Sequence, residues 1–194
     1  MSLFKRYALT AATLGGLVLG TGVVGCGDDN NVIAPINYTV VLEDANVSTT
    51  SDGLIDLDTG DLFSSDDVNA DVDGLSPKID LIYVTSEGSG LFFNPAFGDG
   101  FFPELWVGGV KNATDIRIST ELAFDTVEAA TSDEARIVEL EDAFANAILT
   151  DGASQILFDD NKVYSFKTTD GNIGIAKFTF TDTAEKISVE VWVE

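Results

Sequence analysis

One run of this chain leaves little choice of local fold. In VYSFKTTDGNIGIAKFTF, residues 163–180, the pair Asp170-Gly171 sits between two segments rich in Val, Tyr, Phe, Ile and Thr. Asp-Gly accepts the positive φ angles of the two-residue turns whose twist matches that of paired strands, so the run predicts a β-hairpin. A third strand follows: Ile187, Val189, Val191 and Val193 alternate with Ser188, Glu190, Trp192 and Glu194, the period-two pattern of a strand with one face on a core. Counted from the apolar run at 154–158, the C-terminal third predicts an antiparallel meander of three or four strands.

Upstream, Tyr38–Leu42 and Leu54–Leu57 are β-rich, and Asp58-Thr59-Gly60-Asp61 has hairpin-turn chemistry. Ile79-Asp80-Leu81-Ile82-Tyr83-Val84, bounded by Pro77 and Gly88, is nearly continuously apolar. A strand buried on both faces reads that way, and this one predicts the centre of a sheet. Residues 88–110, rich in Gly, Pro and Phe, predict an irregular excursion. One amphipathic helix is expected at about 132–149: Thr131 and Glu134 form a capping-box pattern, Ile137, Leu140, Phe144 and Ile148 share a stripe, and Thr150-Asp151-Gly152 stops it. The expected fold is α+β, mostly antiparallel β, as a single sheet-rich domain over 36–194.

Composition narrows the chemistry. The 194 residues hold no His, one Cys and one Met, with 10 Lys plus Arg against 33 Asp plus Glu. Without imidazole, Ser-His and Cys-His catalysis and ordinary zinc, copper or haem ligation lose their usual residues. A formal charge of −23 repels nucleic-acid phosphates and anionic lipid headgroups, whose binding needs clustered Lys and Arg. No nucleic-acid partner is expected.

The N-terminus is an address. MSLFKRYALTAATLGGLVLGTGVVGC opens with Lys5 and Arg6, continues through an apolar run from Tyr7 to Val24, and ends in small residues before Cys26, the three-part plan of a secretory signal peptide. Five glycines, at 15, 16, 20, 22 and 25, interrupt the run, which is short for a membrane span. Val23-Val24-Gly25-Cys26 resembles the lipobox of bacterial lipoproteins. The resemblance implies removal of residues 1–25, a palmitate-bearing diacylglycerol anchor on Cys26, and contact with the membrane through that anchor alone. Several acyl chains hold a protein where one would bind marginally. Gly27-Asp28-Asp29-Asn30 resembles the acidic stretch that directs some lipoproteins to the outer face of the outer membrane. Residues 26–35 then form an acidic tether. The expected localisation is the outer membrane, facing the exterior.

The phrase Val163-Tyr164-Ser165-Phe166-Lys167-Thr168-Thr169-Asp170-Gly171, with Lys177 beyond it, is similar to one in HmuY-like β-rich surface lipoproteins, over about a quarter of the chain. That resemblance implies a β-rich fold. The group's haem capture uses His or Met, and the mature chain has neither, so haem binding does not carry over; only a Tyr such as Tyr83 or Tyr164 could stand in.

Three constellations carry candidate chemistry. Asn69, Asp71 and Asp73, with Gly74 at the sixth position and Asp80 at the twelfth, follow the spacing of a calcium loop. Pro77 inside it and the absence of a Glu at the end depart from that pattern, and a solvated acidic loop is the competing reading. Phe92, Phe93, Phe97 and Trp106 lie in a Gly- and Pro-punctuated segment and offer an aromatic binding surface, against the alternative that the rings are core. Carboxylate catalysis, as in a glycosidase, needs two acids at a defined separation and no His, but 33 acids single out no pair. The function expected is non-catalytic binding of an unidentified surface ligand or protein partner, without a cofactor; the alternatives are a calcium-stabilised adhesion or structural module and a carboxylate-dependent glycosidase.

Overall fold

The hairpin at Asp170-Gly171 forms, but through a three-residue loop rather than a two-residue turn: Thr168 N–H donates to Asn172 O and Gly171 N–H to Thr168 O. Strands β9 (Val163–Lys167) and β10 (Ile173–Phe180) pair antiparallel, with Gly171 at φ +99° in the turn. β11 (Lys186–Val193) pairs with β10, and its alternation resolves by face: Ile187, Val189, Val191 and Val193 are buried in the core. The computed structural model describes residues 33–86, 89–93, 95–96, 108–149, 155–157, 162–181 and 186–194.

Two antiparallel sheets build the domain. The first runs β1 (Ile36–Glu43), β11, β10, β9, β6 (Asp115–Ser119), β7 (Ile148–Leu149). The second runs β3 (Leu62–Phe63), β2 (Leu54–Ile55), β4 (Leu81–Ser86), β5 (Ser89–Phe93), β8 (Gln155–Leu157). The fold is α+β and mostly antiparallel, with the C-terminal meander β9–β10–β11. Facing side chains of the two sheets make the main core, where Leu57, Leu81 and Tyr83 of one meet Phe166, Phe178 and Val189 of the other. β4 shows why its sequence is almost continuously apolar: Leu81 and Tyr83 point into that core, while Ile82 and Val84 join Val68 and Ile79 in a second cluster on the sheet's other face.

Four helices cover the sheets among the described residues, where one was expected. α1 (Ser65–Ala70) starts on a capping box: Ser64 Oγ accepts from Asp67 N–H while the Asp67 carboxylate accepts from Ser64 N–H, so the acidic stretch after 64 is helical rather than an open loop. α2 (Val72–Leu75) follows, and a 3-10 turn (Ser76–Lys78) leads to β4. On the first sheet's outer face lie α3 (Glu121–Ala129) and α4 (Asp133–Asn146), burying Phe124, Val127, Leu140 and Ala143 against Val163 and Ile175.

α4 corrects two expectations. Its N-cap is Ser132, which accepts from Ala135 N–H, not Thr131. Its buried stripe is Leu140 with Ala143, and Ile148 lies beyond it in β7, 71% exposed. The residue that fills the inner face one turn before Leu140 is Arg136, whose guanidinium lies 4.3 Å from the centroid of the Trp192 ring; its long stem covers apolar surface as a hydrophobe would. The run at 154–158 also departs from expectation: β8 pairs with β5 in the second sheet, outside the meander. Five residues of the supposed irregular excursion, Ser89–Phe93, are strand.

Candidate functional site

Where the turn after β2 passes beneath the first sheet, three carboxylates meet. Asp56, Asp58 and Asp80 each place an oxygen within 4.8 Å of the others, and among the described residues no other group of three acidic side chains gathers this closely. Asp56 and Asp58 belong to the β2–β3 hairpin, and Asp80 immediately precedes β4.

Each is held by groups the fold supplies. Asp80 is 1% exposed. Its Oδ2 accepts from Leu57 N–H at 2.9 Å, and its Oδ1 accepts from Thr114 Oγ1 at 2.6 Å and Asn112 Nδ2 at 3.3 Å. Asp56 Oδ1 accepts from the N–H groups of Asp58 (2.9 Å) and Thr59 (3.3 Å), an Asx turn that fixes the hairpin. Gly60, at φ +79°, completes that turn against the Tyr38 ring, where a Cβ would come within 2.8 Å of Cδ2. Tyr38 in turn donates its hydroxyl to Leu57 O at 2.7 Å.

The electrostatics follow from burial. Burial pushes Asp80 up to about 6, against the pull of Thr114 and Leu57 N–H and with the charges of Asp58 and Asp56 adding to the rise. Burial also raises Asp56, opposed by the N–H groups it accepts from, and raises Asp58, opposed by Asn172 and Thr168 and reinforced by Asp170. The Tyr38 hydroxyl, raised by burial and by the neighbouring carboxylates, stays a donor. The ion pairs Arg117–Asp115, Arg136–Asp133 and Lys186–Glu43, among the described residues, lie elsewhere. Three hard oxygen donors gathered this closely can share protons or hold a hard cation.

The structure redistributes the predicted calcium loop. Asn69 ends up inside α1, its amide donating to Ser65 O. Asp71 caps α2 by accepting from Gly74 N–H, Asp73 lies in that helix, and Asp80 turns to Asp56 and Asp58 instead. Capping chemistry uses the oxygens that the loop spacing would aim at one ion. Of the aromatic candidates, Phe92 and Phe93 are in β5, in register with Tyr83 and Ile82; Phe97 and Trp106 lie outside the described residues.

Asp56 and Asp58 are not among the residues that motif spacing points to. A signal was present, because Asp56 and Asp80 each interrupt an otherwise apolar strand-like run, and a carboxylate in such a place must find partners. Away from the trio, a concavity of about 400 Å³ opens at the far end of β6 between α3 and α4, lined by Ile118, Leu122 and Ile148 with Glu139 and Asp142.

No protein-family model and no curated protein matches the chain. Among solved structures it is similar to a DUF4466 family protein from Parabacteroides merdae ATCC 43184, with a TM-score of 0.49 and 19% identity over 82% of this chain; the chain spans 52% of that protein's length.

Proposed function

We infer that this chain is a bacterial outer-membrane lipoprotein, anchored through Cys26 and facing the exterior, that acts as a non-catalytic binding or interaction module. The observation that carries the reading is the leader, with Lys5 and Arg6 before an apolar run and Val23-Val24-Gly25-Cys26 at its end. Loss of Lys5 and Arg6 with the leader takes the formal charge from −23 to −25, which suits a solvated surface domain held by lipid rather than by headgroup contacts. Among the described residues no helix is long and apolar enough to cross a membrane.

The non-catalytic part of the reading draws on the carboxylates. Glycosidic chemistry needs an acid pair about 5 to 9.5 Å apart on an open cleft. In the trio, Asp80 and Asp56 are 1% and 7% exposed, too buried to flank a sugar in a cleft. A sheet-on-sheet core with helices on both outer faces is a rigid platform for recognition by its loops.

The test is Cys26→Ser in the full chain. The variant is expected to leave membranes or to keep its leader, while the native protein is cleaved by protease added to intact cells. A Cys26→Ser protein that still fractionates as processed and membrane-bound removes the lipid anchor from the reading; a native protein that resists external protease until the outer membrane is opened faces the periplasm instead.

A further inference from the structure

We propose that Asp56, Asp58 and Asp80, joined by the Thr168 hydroxyl, bind one calcium-class divalent cation that pins the β2–β3 turn of one sheet to the β9–β10 hairpin of the other. The trio alone does not carry this, because acidic groups often cluster without an ion. Thr168 is the second observation. It is 5% exposed and sits at the start of the β9–β10 turn, on the opposite sheet, yet its Oγ1 is buried without a hydrogen-bond partner. Asn172 and Thr168 both sit beside the Asp58 carboxylate, near enough to pull against the rise that burial gives it, but the Thr168 hydroxyl does not reach bonding geometry with Asp58 Oδ1. Asp58 Oδ1 is itself buried without a partner in bonding geometry. Two adjacent buried oxygens that miss each other as donor and acceptor are explained if both turn a lone pair to one cation, and buried polar atoms without partners are uncommon.

The donor set selects the ion. All the candidate ligands are oxygens, with no nitrogen or sulfur among them, which favours a hard cation over a transition metal. Calcium binds oxygens at about 2.3–2.6 Å, so ligands of one ion lie within roughly 5 Å of each other, as the trio does. Magnesium keeps several of its waters, and two of the three carboxylates, Asp80 and Asp56, are 1% and 7% exposed, which leaves room for few of them. Three carboxylates around a divalent ion leave one net negative charge where there were three, offsetting the cost of burying them together. Asp170, in the same hairpin turn and near enough to raise Asp58, adds to the attraction.

The site spans the sheets. Asp56 and Asp58 come from the β2–β3 turn, Asp80 from the entry to β4, and Thr168 from the turn after β9, while Thr114 and Asn112, leading into β6, hold Asp80 from behind. An ion here ties one sheet's turn to the other sheet's hairpin at one end of the core.

The experiment uses the full chain in detergent, stripped with chelator and returned to calcium at about pH 7.5. Calcium is expected to raise the melting temperature in a concentration-dependent way, half-saturating between about 10⁻⁴ and 10⁻³ M as in extracellular modules, and to titrate with a stoichiometry near one. Asp58→Asn removes a half-buried charge from the trio and is expected to melt no lower than the native chain in chelator, while its calcium affinity falls at least tenfold. Asp71→Asn, at the exposed α2 cap, keeps the calcium response. A native melting temperature indifferent to calcium, an Asp58→Asn response equal to the native one, or loss of the response in Asp71→Asn overturns the proposal.

Discussion

Two glycines in the C-terminal hairpin show how differently the same residue can be required. Gly174 has an ordinary backbone, but a Cβ built on it would come within 2.1 Å of Phe166 Cζ, the ring directly across the strand pair. Phe166 is 1% exposed and held in the main core, so it cannot swing away. Gly174→Ala is expected to cost about 1–3 kcal/mol as overpacking. Gly171 is the opposite case: its φ of +99° suits glycine, and nothing lies within 4 Å of a Cβ there. Gly171→Ala should cost about 1 kcal/mol, from backbone conformation alone. Urea unfolding separates the two mechanisms, because adding Phe166→Leu should recover part of the loss in Gly174→Ala and none in Gly171→Ala. Additive losses in the first pair would mean that the ring does not set the requirement for glycine.

At the scale of elements, Arg136 joins three of them. From α4 it donates to Ala130 O at 2.6 Å and Val127 O at 3.3 Å, carbonyls at the end of α3, and it lies over Trp192 of β11. A cation at a helix C-terminus and a guanidinium on an indole each stabilise by about 0.5–2 kcal/mol, so Arg136→Ala should cost about 2–3 kcal/mol. The emission of Trp192, measured with Trp106 replaced by Phe, should move to the red. Arg136→Lys should recover little, since an ammonium lacks the planar fork; full recovery would show that charge alone matters. Arg136 also shows where sequence patterning stops. Alternation in β11 and the Asp170-Gly171 turn report local geometry, and both were legible because period-two burial and positive φ leave direct marks on residue choice. α1 was hidden because its capping box uses Asp67 in place of the usual Glu and its inner face needs only Val68. The helix stripe of α4 was misplaced by the same logic, since an arginine on an inner face looks polar. β8 joins the second sheet through pairings distant in sequence, which no periodicity encodes. The carboxylate trio was half legible: Asp80 was singled out for its spacing, but Asp56 and Asp58 reach it from the β2–β3 turn through the pairing of β2 with β4, which no local spacing encodes.

Over the whole described domain, the first and last strands meet, β1 pairing along its full length with β11, from Ile36 opposite Val193 to Glu43 opposite Lys186. That pairing makes the fold depend on contacts between the two ends of the domain. The charge distribution then sets an unusual pH dependence. Asp80 is pushed up to about 6, and Asp56, Asp58, Asp52 and Glu194 are raised as well, each chiefly by burial, whereas Asp67 is lowered by its bonds to Ser64. An acid whose pKa is higher in the folded chain binds more protons there than when unfolded, so its contribution is complete below the unfolded pKa, about 4, and is lost as pH rises through the folded one. For Asp80 alone that loss is on the order of 3 kcal/mol between about pH 4 and pH 7. Asp67 has the opposite sign, stabilising above its ordinary range and fading only in stronger acid. In chelator, the melting temperature is therefore expected to rise as pH is lowered from about 7.5 to about 5, while the surface loses part of its mutual repulsion over the same interval. Asp80→Asn separates the local from the general effect, because it should flatten the slope around pH 6 while leaving any change near pH 4 in place. A melting temperature that falls steadily from pH 7.5 to 5 in the metal-free native chain would show that the buried carboxylates are stabilised as charges, contrary to the burial that surrounds them.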